Sequence, residues 1–158
     1  MKLNVLALVL SFTLLLSCGE DTRKTTHKLY ESFTHNMDSL EAVQDQLKRE
    51  QAEVTTNHLD LTGQFTDMEQ ADSTALHLLT EHQELLTEQE QLLDSISFTV
   101  HKKFTENYSL DVLTDEQILT ILDGLRIKNQ RISKNLRQIE QELQGIRSDQ
   151  QKLQTQIQ

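Results

Sequence analysis

Apolar residues recur along most of this chain at alternating intervals of four and three residues, a spacing that places them on one face of a helix. The clearest series lies near the C-terminus. One row there contains Ile118, Leu125, Ile132, Ile139, Ile146 and Leu153, and its companion contains Leu122, Asn129, Leu136, Leu143, Gln150 and Ile157. Thr114 to Gln117 forms a capping-box sequence in front of these rows, with Leu113 and Ile118 at the staple positions. The pattern predicts a coiled-coil-like helix over 115–156.

The middle of the chain contains pairs of leucines repeated every seven residues. One row contains Leu79, Leu86, Leu93 and Val100, and Leu78, Leu85 and Leu92 lie beside it. This broad apolar stripe predicts a helix over about 69–103 that contacts two neighbours. Ile96, Phe98 and Val100 also alternate as in a strand. We favour the helix because the seven-residue row continues through Val100.

The first part of the chain has one strong row and one weak row. The strong row contains Phe33, Leu40, Leu47, Val54, Leu61 and Met68, and the weak row contains Tyr30, Met37, Gln44, Gln51, His58 and Phe65. Poor helix formers at 55–57 and 62–63 predict that the helix covers about 26–57, with a turn between 57 and 72. Thr66 and Glu69 have the spacing to cap the next helix. We interpret His58 as part of a hydrated stretch of seam, with a pH-responsive contact as the alternative.

Together these segments predict an all-α fold, a long three-helix up-down-up bundle with coiled-coil-like seams over 26–158. No Lys or Arg occurs from 51 to 101, whereas 124–139 contains five basic residues and no acid. We therefore expect Glu81–Asp94 to pair in antiparallel register with Arg126–Arg137 within one chain, which gives a monomer. A parallel tetramer is the alternative. In the C-terminal helix, leucines in the Leu122 row (position a of the seven-residue repeat) with isoleucines in the Ile118 row (position d) favour that assembly.

The N-terminus has a separate pattern. Lys2 precedes an almost wholly apolar run over 3–16, and Cys18, the single cysteine, follows Ser17. A charged start, a short apolar stretch and a small residue at the end are typical of a secretory signal peptide, and a membrane span needs about 20 apolar residues. An uncleaved anchor helix and a secreted protein with a stray cysteine are alternatives.

The run ending in Leu15-Leu16-Ser17-Cys18 resembles the lipobox of bacterial lipoproteins. The resemblance implies that residues 1–17 are a signal peptide, that Cys18 carries a covalent lipid, and that the chain is attached to a membrane through it. Residues 18–25 would then be the lipidated cysteine and a polar tether. Gly19 rather than Asp after the cysteine implies the outer membrane of the cell envelope. Glu20 and Asp21 resemble an acidic signal for display on the cell surface.

Composition and motifs narrow the chemistry. The net charge of −10 argues against nucleic acid as a partner, because phosphate contacts need clustered Lys and Arg. The six histidines do not have the spacings of metal sites, so we expect no metal and no cofactor besides the lipid. With no Gly-x-Ser-x-Gly sequence and the one cysteine assigned to lipid, no catalytic residue is identified, and we expect that the protein is not an enzyme.

The predicted loop 104–113 is rich in large apolar and aromatic residues. Phe104, Tyr108 and Leu110 are the candidate contacts with an unidentified envelope protein if they are exposed, and otherwise they close the end of the bundle. The sequence thus predicts a lipid-anchored, non-enzymatic binding or scaffolding module. A periplasmic chaperone or holdase, with long helices around unfolded clients, is the alternative.

Overall fold

The structure, a computed structural model, describes residues 19–68, 72–98 and 112–157, with side chains from Arg23 onward. Three helices account for most of these residues. They are α1 (Gly19–Thr66), α2 (Ser73–Ser95) and α3 (Asp115–Ile157). At a rise of about 1.5 Å per residue, α1 and α3 are roughly 70 and 65 Å long, and α2 is roughly half that length. The all-α prediction is confirmed.

Contacts between the helices give their directions. Gln44 of α1 donates a hydrogen bond to the Leu93 carbonyl of α2, and Gln51, further along α1, donates to the earlier Leu86 carbonyl. These two helices are therefore antiparallel. Gln150 of α3 donates to the Val54 carbonyl of α1 over 3.0 Å, and the start of α3 packs near the start of α1, so α1 and α3 run parallel. The predicted up-down-up bundle is confirmed.

The buried apolar side chains form three clusters along the bundle. The lower cluster, at the end of the bundle where α1 and α3 begin, joins Tyr30 to Ile118 and Leu122. The central cluster contains Met37, Leu47, Val54, Leu86, Leu93, Phe98, Ile132, Leu136, Ile139, Leu143 and Ile146. The upper cluster contains Leu61, Phe65, Ala75, Leu79 and Leu153. The predicted seam rows of α1 and α3 supply most of these residues, as coiled-coil-like packing requires.

Helix α1 is longer at both ends than the sequence predicted. It continues past 57 to Thr66, because Leu61 and Phe65 are buried in the upper cluster and tertiary packing outweighs weak intrinsic propensity. The threonine hydroxyls donate to carbonyls four residues earlier, as Thr62 does to His58. At the other end, residues 19–25 are helical and do not form the expected tether. Buried Thr26 and Tyr30 fix this end of α1, and a formed helix extends at low cost.

Both ends of α2 also differ from the prediction. The helix begins at Ser73, where Asp72 is the N-cap and its Oδ1 accepts from the Thr74 amide over 2.8 Å, so the cap assigned to Thr66 and Glu69 is wrong. The helix ends at Ser95 rather than at 103. Ile96 is extended, with φ −76° and ψ 116°, and residues 96–98 form neither helix nor strand. Phe98 instead turns into the central cluster, where it is buried.

The start of α3 agrees with the prediction. Thr114 Oγ1 accepts from the Gln117 amide over 3.3 Å, and Gln117 Oε1 accepts from the Thr114 amide over 2.9 Å, which completes the capping box. Leu113 packs in the same cluster as Ile118, as expected of the staple positions. The helix then runs to Ile157, one residue past the predicted end.

The predicted charge register between α2 and α3 is wrong. Gln89 contacts Glu142 and His82 contacts Asp149, so α2 lies beside a later part of α3 than Arg126–Arg137. Among the described residues, no ion pair joins Glu81–Asp94 to that basic stretch. Ion pairs between the described helices include Lys48–Asp94, Arg147–Glu50 and Arg147–Glu53. Exposed charge pairs contribute only about 0.2–1 kcal/mol each, so they do not set the register against the buried seams.

We predict that Gly145→Ala stabilises the protein. Gly145 lies on the exposed face of α3, and nothing lies within 4 Å of the position its Cβ would take. The free energy of unfolding should rise by about 0.5–1 kcal/mol, because alanine restricts the unfolded chain more and favours the helix. Urea unfolding of the full-length protein in mild detergent, followed by circular dichroism, measures the change. Gln144→Ala is the control, and an equal gain in that variant would contradict the prediction.

Candidate functional site: a buried histidine pair

The described residues contain few of the positions that the sequence suggested as sites. Cys18 lies outside the described residues, as do Phe104, Tyr108 and Leu110. Glu20 and Asp21 belong to the first turn of α1, but their side chains are not among those described. His58 is described, and it lies inside the bundle at 2% exposure. The candidate site is therefore the interior of the bundle around His58.

Three consecutive members of the weak row of α1, Gln44, Gln51 and His58, are buried polar side chains that face α2. Gln44 donates to the Leu93 and Ile96 carbonyls at the C-terminal end of α2, over 3.1 Å in the case of Ile96. Gln51 donates to the Leu86 carbonyl over 3.1 Å. These amides bond to specific backbone atoms of the neighbouring helix, so they fit one register only. The expected hydrated stretch of seam is, for Gln44 and Gln51, a set of direct helix-to-helix hydrogen bonds.

His58 comes next in that row and packs against His82 of α2. The ring centroids are 6.3 Å apart and the ring planes make an angle of 64°, an edge-to-face arrangement. Both side chains are almost completely buried. The pair lies between the central and upper apolar clusters, with Val54 and Leu86 on one side and Leu61 and Leu79 on the other. It therefore forms a polar layer in an otherwise apolar part of the seam.

The hydrogen bonds of the two rings are incomplete. His58 Nε2 lies 3.5 Å from the Thr62 hydroxyl, and that hydroxyl donates to the His58 carbonyl, so it can accept from the ring. His82 Nε2 lies 3.6 Å from Asp149 Oδ2, too long for a strong hydrogen bond. Neither Nδ1 atom has a partner. A neutral imidazole tolerates an unpaired ring nitrogen better than an imidazolium, which has two N–H donors to satisfy.

The environment favours the neutral form of both rings. Burial lowers the pKa of His58 below its ordinary value of 6.5, and the neighbouring His82 lowers it further. Burial also lowers the pKa of His82, while the Asp149 carboxylate and Glu81 partly oppose that shift. Asp149 is only a partial counter-charge because Lys152 Nζ lies 2.7 Å from its Oδ1. The Lys152 hydrogen bond is the main cause of the lowered pKa of Asp149.

The described residues contain no group of three or more His, Cys, Asp or Glu side chains placed to hold a metal ion. Two buried imidazoles in contact can each take up a proton, and this is the chemistry that the histidine layer offers. The sequence identified His58 but missed His82 and Gln89. The signal was present, because Ala75, Leu79, His82, Leu86, Gln89 and Leu93 continue the alternation of four and three residues. The adjacent Leu78, Leu85 and Leu92 concealed it, since they are more apolar but only half-buried.

The two polar residues in the α3 seam have different surroundings. Gln150 has the register-fixing contact expected of such a residue, with its Nε2 bonded to the Val54 carbonyl. Asn129 is equally buried, at 4% exposure, but neither of its amide atoms has a hydrogen-bond partner. It lies in the seam between Leu122 of the lower cluster and Ile132 of the central cluster. Asn129 therefore interrupts the core without a compensating bond.

Comparison of the chain with protein-family models, with curated proteins and with solved structures finds no significant match. None of the helices in the described part of the chain combines the length and the apolar character that crossing a membrane requires.

We predict that Asn129→Leu raises the free energy of unfolding by about 1–3 kcal/mol, because it removes two unpaired buried polar atoms and continues the leucine row. Gln150→Leu is the matched substitution. It should stabilise less or destabilise, since Gln150 already has a bond to lose. Urea unfolding of both variants at one pH gives the comparison. An Asn129→Leu protein no more stable than the Gln150→Leu protein would show that the Asn129 amide is satisfied in solution.

Proposed function

We propose that this protein is a lipid-anchored, non-enzymatic helical-bundle lipoprotein of the bacterial envelope that acts as a binding or scaffolding module. The observation that carries the proposal is Cys18, the single cysteine, at the end of the apolar run 3–16 in a sequence that resembles a lipobox. A diacylglyceryl group and an N-acyl chain on this cysteine would give firm attachment, because stable anchoring takes two or more chains.

The start of α1 adds support for a scaffolding role. The helix includes Gly19, the residue directly after Cys18, and continues for 48 residues. A lipid on Cys18 would therefore be joined to a rod roughly 70 Å long without an extended linker. A rod that stands on the membrane would carry its far end, near Phe65 and Leu153, well away from the lipid surface. Holding a partner away from the membrane is what a scaffold of this kind does.

The chaperone alternative has weaker support from the described residues. A holdase needs a continuous apolar surface for its clients. The large apolar side chains that are exposed in the described part of the chain are Leu59, Met68, Val112, Leu119 and Ile127. They are spread from one end of the bundle to the other. We therefore place the scaffolding role first. The location that we propose is the outer membrane, because Gly19 rather than Asp follows Cys18, and display on the cell surface is a further step that depends on Glu20 and Asp21.

Cys18→Ser tests the anchor. The substitution removes the thiol that would form the thioether to lipid, so lipid attachment should be blocked and the protein should be released or mislocalised. Its electrophoretic mobility should also change, because the signal peptide and the lipid are processed together. Ser17→Ala, a small-for-small change beside it, is the control and should remain with the membranes. A Cys18→Ser protein that still sediments with membranes and has unchanged mobility would refute the lipoprotein proposal.

Replacement of Glu20 and Asp21 by Ala tests the display signal. The lipidated double variant should stay in the membrane fraction but become resistant to protease added to intact cells, whereas the unchanged protein is degraded. Glu31→Ala with Asp38→Ala makes the same charge change at exposed positions of α1 and is the control. Equal degradation of the Glu20, Asp21 variant and the control would remove these two residues as an export signal.

A further inference from the structure

The His58–His82 layer is the one place in the described structure where two ionisable side chains are buried against each other. Both rings are at most 3% exposed, and each has an Nδ1 atom with no partner. The site therefore accommodates two neutral imidazoles. With Nε2–H facing Thr62 in His58 and Asp149 in His82, protonation adds a second N–H donor at Nδ1, which has no hydrogen-bond partner in either ring.

The charged and titratable groups around the pair come from all three helices. From α1, His58 faces the neutral Thr62 hydroxyl. From α2, Glu81 acts on His82, but it is exposed and lies 3.6 Å from His77. From α3, Asp149 faces His82 and shares its carboxylate with Lys152. Arg147 of α3 is directed away, toward Glu50 and Glu53 of α1.

This arrangement can stabilise one positive charge at most. His82 can accept a proton beside Asp149 at 3.6 Å. His58 has no facing carboxylate, and a charge on it would meet a charged His82 with ring centroids 6.3 Å apart. Two buried like charges at that distance repel strongly in a low-dielectric interior. The second proton is therefore taken up only if α1 and α2 separate at this layer.

We propose that the His58–His82 contact is an acid-sensitive latch, by which we mean that its protonation releases α2 from α1 and α3. Helix α2 is the shortest of the three described helices, and the contacts that protonation must outweigh are apolar, since Ala75, Leu79, Leu86 and Leu93 are buried in the upper and central clusters. The other contacts of α2 with its neighbours include polar ones. Several are single polar bonds, such as Gln51 to the Leu86 carbonyl and Gln89 to Glu142 over 3.1 Å. Release would expose the leucine row of α2, Leu79, Leu86 and Leu93. The inference does not depend on lipid anchoring, because it involves only the interior of the bundle.

The sign of the pH dependence follows from proton linkage. Both histidine pKa values are lowered in the folded protein, so the open state binds more protons as the pH falls. Stability from the neutral pair is complete above the open-state pKa of about 6.5 and is lost as the pH falls from there through the folded-state values. The lowered pKa of Asp149 acts in the same direction, but only below its ordinary value of 3.8. The histidine effect therefore occupies a separate pH range.

Hydrogen exchange of the full-length protein in mild detergent tests the proposal. Exchange should be compared at pH 7.5 and pH 5.0 after correction for the intrinsic rates. We expect the opening equilibrium of Ser73–Ser95 to rise at least about tenfold at pH 5.0, because the open state binds protons that the closed pair takes up only weakly. Binding of an apolar fluorescent dye should increase in parallel. Equal protection of α2 at the two pH values would overturn the proposal, and so would equal losses of protection in all three helices.

Variants separate the pair from other acid effects. His58→Leu with His82→Leu should abolish the difference between pH 7.5 and pH 5.0. His35→Leu with His77→Leu replaces an exposed histidine on each of the same two helices and should leave the difference unchanged. If the leucine pair disturbs folding, His58→Gln with His82→Gln removes the titrating groups with less change in polarity. Loss of α2 protection at pH 5.0 in a folded variant without both histidines would refute the assignment.

A titration of the unmodified protein is a second measurement. The ring proton resonances of His58 and His82, assigned by comparison with the single substitutions, report the two pKa values directly. We expect both to lie below the ordinary histidine value of 6.5, and His82, which has the Asp149 carboxylate beside it, to take up its proton before His58 as the pH falls. Values for the pair at or above 6.5 would overturn the proposal.

Discussion

The bundle is held together by narrow seams in which each helix buries two interleaved rows of side chains. Aromatic residues make up only 4% of the chain, so few bulky groups are available to widen this core. Each level of the seam holds about one side chain per helix, and the stabilisation scales with the apolar area buried there. One polar residue therefore removes a large part of the apolar area that is buried at its level of the seam. This narrowness explains why seven buried amide or imidazole side chains have so much influence on this fold; they are Gln44, Gln51, His58, His82, Gln89, Asn129 and Gln150.

Six of these seven polar residues fall into two groups, and Gln89 is intermediate, since its Nε2 donates to Glu142 while its Oε1 has no partner. Gln44, Gln51 and Gln150 donate to backbone carbonyls of a neighbouring helix, which only one alignment of the helices permits. A shift along the seam would leave their buried amides unpaired, at about 1–3 kcal/mol each. Asn129 and the histidine pair have incomplete hydrogen bonding and weaken the levels they occupy. The same seam thus contains both the groups that set its register and the groups that limit its stability.

The sequence predicted what depends on local pattern. The seam of α3, its capping box and the three-helix topology follow from spacing that neighbouring residues share. The predicted ends of α1 and α2 were wrong because contacts between the helices, rather than the local sequence, determine where these helices stop. Phe65 and Leu61 are buried and extend α1 beyond weak helix formers, and Phe98 turns into the core and ends α2 early. The predicted register of α2 against α3 was wrong for a related reason. Opposed exposed charges suggested one alignment of these helices, whereas buried amides fix another. Within the site, His58 was visible, but His82 was hidden behind a more apolar neighbouring row.

The division of the core into three clusters has a mechanical consequence. A rod of this kind resists bending through cohesion between its helices, and that cohesion is lowest where side chains make the fewest dispersion contacts and hydrogen bonds. Asn129 separates the lower cluster from the central one, and the histidine layer separates the central cluster from the upper one. We expect thermal bending to concentrate at these two levels, so that the protein behaves as three stiff segments joined by two compliant joints.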